Sequence, residues 1–91
     1  MAEPARGEQV VVIRGHSVRD SAGNSFGIVD LHPDPSDVAV LMGVRSAATG
    51  ERTQLVLREQ APVERLGLRV LALRIETAEP EKVTLLVEPT A

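Results

Sequence analysis

Residues 66–88 read LGLRVLALRIETAEPEKVTLLVE, and this stretch decides the class of the chain. Apolar and polar side chains alternate with a period of two on either side of a break at 77–81, TAEPE. That period belongs to a β-strand with one covered face, and the break supplies a turn. The alternation slips inside the first strand. Leu68 and Val70 share one phase, whereas Leu71, Leu73 and Ile75 share the other. A single-residue β-bulge near Val70 to Ala72 would return both sets to one face, and the alternative is a strand covered on both sides.

Working outward, the same pattern recurs. Residues 8–14, EQVVVIR, form a first strand rich in β-branched side chains. Residues 16–20 continue it after Gly15. Ser21-Ala22-Gly23-Asn24 is a turn signal, since Gly and Asn tolerate positive φ. Residues 25–31, SFGIVDL, return with Phe26 and Ile28 on one face and Val29 and Leu31 on the other. Residues 37–44 place Val38, Val40, Met42 and Val44 on one side and Ala39, Leu41 and Gly43 on the other. Residues 46–50 are a hairpin loop. Residues 51–58 direct Thr53, Leu55 and Leu57 to one face. Residues 59–65 read as irregular because of Pro62. The expectation is an all-β domain over residues 8–88, with a flexible arm at 1–7 and a tail at 89–91. Six to seven short strands would form a small antiparallel β-sandwich or a partly open β-barrel.

Composition narrows the function. Ninety-one residues supply one modest core. Cysteine is absent, which removes disulfides and thiolate metal sites. Residues 1–9 lack the apolar run of a signal peptide, and no stretch approaches a membrane span, so a cytoplasmic protein is expected. Nine arginines and one lysine are dispersed against a net charge of −3, so no basic cluster points to nucleic acid. The preference for Arg over Lys, with abundant Ala, Val and Leu, suggests a bacterial source. Phe26 is the one aromatic residue. Base-stacking platforms and proline-reading grooves need several.

The densest group of potential ligands is Asp30-Leu31-His32-Pro33-Asp34-Pro35-Ser36-Asp37. Asp30, His32, Asp34 and Asp37 together offer three carboxylates and an imidazole, a donor set suited to Ca²⁺ or Zn²⁺. The spacing lacks the central glycine and closing Glu of an EF-hand, and two prolines make a rigid surface turn the simpler reading. Asp20 with Asn24 offers a second cation pair, although a hairpin tip accounts for it. His16 and His32 have no G-x-S-x-G serine to activate, and no glycine-rich phosphate loop is present. No enzyme is expected, and no cofactor.

Three segments, 10–13, 38–44 and 70–73, are apolar at successive positions. A strand wet on one face should alternate. The extra apolar residues, Val11, Ile13, Ala39, Leu41, Leu71 and Leu73, are therefore candidates for an interface with a second copy or a partner protein.

Residues 14–87 carry the strings RGHSVRD, SFGIVDL, LGLRVLALRI and VTLLV. In these the chain resembles a group of small all-β single-domain proteins of actinobacteria. The resemblance implies the same all-β fold and carries no activity with it.

Two functional expectations follow. The first is a non-enzymatic protein-binding or assembly module, self-associating or accessory to a partner protein. Acidic rims at Glu59 and Glu64, or at Asp30, Asp34 and Asp37, would meet a basic partner. The second is a small-ligand or metal-binding β-barrel that uses the 30–37 loop.

Overall fold

The computed structural model describes residues 7–90. Most of the expected arm, residues 1–6, and Ala91 of the expected tail lie outside the described residues. The described residues form eight strands: β1 Glu8–Ile13, β2 Val18–Arg19, β3 Ser25–His32, β4 Ala39–Arg45, β5 Arg52–Leu57, β6 Val63–Arg65, β7 Leu68–Glu76 and β8 Lys82–Pro89. They contain no helix, so none is long and apolar enough to cross a membrane.

The strands build two four-stranded antiparallel sheets, ordered β1-β8-β7-β6 and β2-β3-β4-β5. Nearly every ladder joins strands consecutive in sequence, and β1 with β8 is the exception. The molecule is thus a β-sandwich whose sheets are two arcs of one ring, opened between β1 and β2 and between β5 and β6.

Side chains facing inward from both sheets share one core. Val10, Val12, Val70, Ala72, Val83 and Leu85 come from the first sheet, and Phe26, Val40, Met42, Leu55 and Leu57 from the second. Phe26 and Leu85 are wholly buried. Of the expected inward sets, Val40, Met42 and Val44 of β4 and Leu55 and Leu57 of β5 are buried in this core, while Val38, just before β4, packs against its edge and Thr53 is half-buried.

Three local features differ from the sequence reading. The bulge in β7 falls between Ala72 and Arg74, later than expected, and makes Leu73 the extra residue. Leu68, Val70, Ala72 and Ile75 then face the core, while Leu71 and Leu73 stay half-buried. A second bulge, with Val29 as its extra residue, interrupts β3. It returns Leu31 to the side of Phe26 and Ile28, against the core, so Val29 and Leu31 do not share a face. The eighth strand, β6, lies in the segment expected to be irregular. Leu66 and Gly67 follow it with φ of 56° and 73°, and form a two-residue hairpin turn instead of starting β7.

Side chains close the two seams. The Ser21 amide and hydroxyl donate to the Glu8 carboxylate at 2.6–3.0 Å, which pins the β2–β3 turn against β1. On the other side, the chain between β5 and β6 crosses the bulge of β7. Gln60 Nε2 donates to the Leu73 carbonyl, and the Ile75 amide donates to Glu59 Oε2 at 2.7 Å.

Candidate functional site

The 30–37 loop is tied up by its own neighbours. Asp30 Oδ1 accepts from the Leu31 amide at 2.9 Å and lies 3.7 Å from Arg14 Nη2. Asp34 Oδ1 accepts from the amide and the hydroxyl of Ser36, at 3.0 and 2.8 Å. Those bonds, backbone first, hold the Asp34 carboxyl below its ordinary range. Asp37 takes a two-pronged contact from Arg58, at 2.8 Å from Nε and 3.3 Å from Nη2. That guanidinium lowers the Asp37 pKa, and the carboxylate raises that of Arg58. His32 ends β3 with Nε2 at 4.0 Å from Asp34, both side chains being well exposed. Each carboxylate therefore serves a different partner. Among the described residues no three His, Asp or Glu side chains converge on one point that could hold a metal ion. What the arrangement does is stiffen a turn and anchor it to Arg58.

Asp20 and Asn24 also bond each other. Both the amide and the side-chain nitrogen of Asn24 donate to the Asp20 carboxylate at 2.9 Å. Asn24 Oδ1 accepts from the Ala47 amide at 2.8 Å, which joins two hairpin loops through one buried side chain. Glu59 is exposed and accepts the Ile75 amide through Oε2.

The six candidate interface residues do not form one patch. Val11, Ile13 and Leu71 lie on the outer face of the β1-β8-β7-β6 sheet, with Leu73 at its bulge. Val11 and Ile13 are 44% and 37% exposed. Strand register sets Leu71 opposite Leu86 and Leu86 opposite Gln9, so Leu86, missed in the sequence, extends this apolar surface between Leu71 and β1. Ala39 and Leu41 lie on the outer face of the other sheet. There Ala39 is buried and Leu41 half-buried, alongside Val56, which is 53% exposed.

The outer face of the β2-β3-β4-β5 sheet also holds an open trough of about 710 Å³. Arg19, Arg45 and Arg52 stand along it, and Gly27 and Gly43 floor it. None of these residues stands out in the sequence, where the three arginines lie in separate segments and Arg19 and Arg52 each stand beside a carboxylate, Asp20 and Glu51. Only cross-strand register brings them together.

The chain matches no protein-family model, no curated protein and no solved structure.

Proposed function

We propose that the protein is a non-catalytic assembly module that pairs with a second copy of itself through the outer face of the β1-β8-β7-β6 sheet. The observation that carries this is the exposure of Val11 and Ile13 in β1, beside Leu86 and Leu71 on the neighbouring strands. Water gains nothing from side chains of this size, and a second sheet stacked about 10 Å away would cover them.

The charges around the patch favour a like partner over an unlike one. Register sets Glu64 opposite Arg69 and Arg69 opposite Glu88, and Lys82 pairs with Glu76 at 3.9 Å. A face that carries both signs is complementary to itself across a two-fold axis. A domain of 9.8 kDa also gains stability from covering surface that its own core cannot reach.

Sedimentation equilibrium over a concentration series tests the reading. The expected mass is twice 9.8 kDa, and Val11→Asp or Leu71→Asp should give a folded monomer with an unchanged circular-dichroism spectrum. A wild-type chain that stays monomeric up to about 1 mM, where association would be worth less than ~4 kcal/mol, rules out self-association.

A further inference from the structure

The outer face of the β2-β3-β4-β5 sheet breaks two rules that the opposite face obeys. The first concerns charge. Residues directly opposite on neighbouring strands have Cβ atoms about 5 Å apart, and like charges there destabilise the sheet. The β1-β8-β7-β6 sheet sets opposite charges across strands, as in Glu64–Arg69–Glu88. The β2-β3-β4-β5 sheet instead sets Arg45 directly opposite Arg52. The same row continues through Ser25 to Arg19, so one line across four strands reads Arg19, Ser25, Arg45, Arg52. All three arginines are exposed. None belongs to an ion pair among the described residues, although the chain is acidic overall.

The second rule concerns glycine. Glycine inside a strand costs roughly 0.5–1 kcal/mol relative to alanine unless the backbone needs it. Gly43 is crowded on this face, because a Cβ there would lie 3.3 Å from Val29 Cγ2 and that side chain would have to shift by a few tenths of an ångström. Gly27, its cross-strand partner, is not: a Cβ there would meet nothing within 4 Å, and its φ is not in the left-handed region. The open space over Gly27 is the floor of the trough, next to the arginine row. Local stability is given up at both features, and the two adjoin. Such departures mark functional surfaces more often than random ones.

We propose that this trough binds a phosphate-bearing small molecule. Arg45 and Arg52 grip the oxyanion with their guanidinium forks, Arg19 closes on it from about 10 Å away across two strands, and the organic body lies on the Gly27–Gly43 floor against Val29. The volume of about 710 Å³ suits a ligand of metabolite size. An anion seated between Arg45 and Arg52 replaces their repulsion with two charge-assisted contacts, so binding should also stabilise the fold. This site lies on the sheet opposite the assembly face and does not depend on the oligomeric state.

Inorganic pyrophosphate and phenyl phosphate are the probes, measured by thermal unfolding and by titration calorimetry on the full chain, against sodium chloride at matched ionic strength. The wild type should show a saturable rise in melting temperature with either probe and none with chloride. Arg52→Gln should melt above the wild type without ligand, and should lose at least tenfold in pyrophosphate affinity. Gly27→Val should fold at least as stably as the wild type, since the space is open and valine favours strands; it should keep the pyrophosphate response, which needs only the arginines, and lose at least tenfold in affinity for phenyl phosphate, whose ring needs the floor. Arg69→Gln, on the opposite sheet, should respond fully. The proposal is overturned by an absent or unsaturable response to either probe in the wild type, by a full pyrophosphate response in Arg52→Gln, by undiminished phenyl phosphate binding in Gly27→Val, or by an equal loss in Arg69→Gln.

Discussion

Leu66 carries a backbone conformation that its side chain opposes. Its φ of 56° places an L-residue with a γ-branched side chain at the first central position of the β6–β7 turn, and Gly67 follows at 73°. Two-residue turns of this hand favour Asn-Gly, because asparagine tolerates positive φ and leucine does not. Leu66 is only half-buried, so little packing is lost on replacement. Leu66→Asn should therefore stabilise the domain by about 0.5–1 kcal/mol, seen as a higher urea midpoint with an unchanged slope. A lower midpoint would show that the contacts of the leucine outweigh its strain. Gly67 alone does not mark the turn in the sequence. Leucine in front of it reads as the start of a strand, and pairing of β6 with β7 imposes the turn in its place.

At the scale of an element, the two bulges set which side chains reach the core. In β7 the extra residue Leu73 lets Leu68, Val70 and Ala72 face inward before it and Ile75 after it. A bulge leaves backbone groups outside the ladder, and a buried orphan amide is costly. The Ile75 amide finds Glu59 Oε2 at 2.7 Å, and the Leu73 carbonyl finds Gln60 Nε2 at 3.0 Å. Glu59→Ala removes a charged acceptor from a partly buried donor. It should cost about 1–2 kcal/mol in chemical denaturation and speed hydrogen exchange at the Ile75 amide. An unchanged exchange rate there would mean that water replaces the carboxylate without loss. The β7 slip was legible in the alternation of residues 68–75. Its position, and the bulge at Val29, were not, because a period of two shows that a phase changes without showing which residue is extra.

At the scale of the molecule, both sheets contribute to one core and neither has another apolar surface of comparable burial. Phe26 anchors one sheet and Leu85 the other, and both are fully buried. Unfolding should then be a single cooperative step. Phe26→Ala should cost about 3–5 kcal/mol and Leu85→Ala about 2–5 kcal/mol, each lowering one transition seen alike by far-ultraviolet circular dichroism and by amide exchange in both sheets. A variant that melts its own sheet while the other stays protected would divide the fold into two units. Much of this core could be named in advance: Val40, Met42 and Val44 on one strand, Leu55 and Leu57 on the next. The candidate surfaces could not. Val11 and Ile13 read as surplus apolar residues in the sequence, yet only the sheet order separates them from Ala39 and Leu41 on the opposite face.

The sequence by itself determined the class of the fold. A period of two in hydrophobicity, punctuated by Gly, Asn and Pro, is a local property, and it marks strands and, away from the bulges of β3 and β7, their inward faces without reference to distant residues. It also determined what is lacking, since no thiol and only one aromatic ring are present. The tertiary structure alone decided register, and with it every surface that links residues far apart in the chain. Arg19, Arg45 and Arg52 stand in one row because three ladders align them, while the carboxylates of residues 30–37, adjacent in sequence, are drawn to separate partners. Closeness along the chain governs the strands, and pairing across strands governs which charges meet.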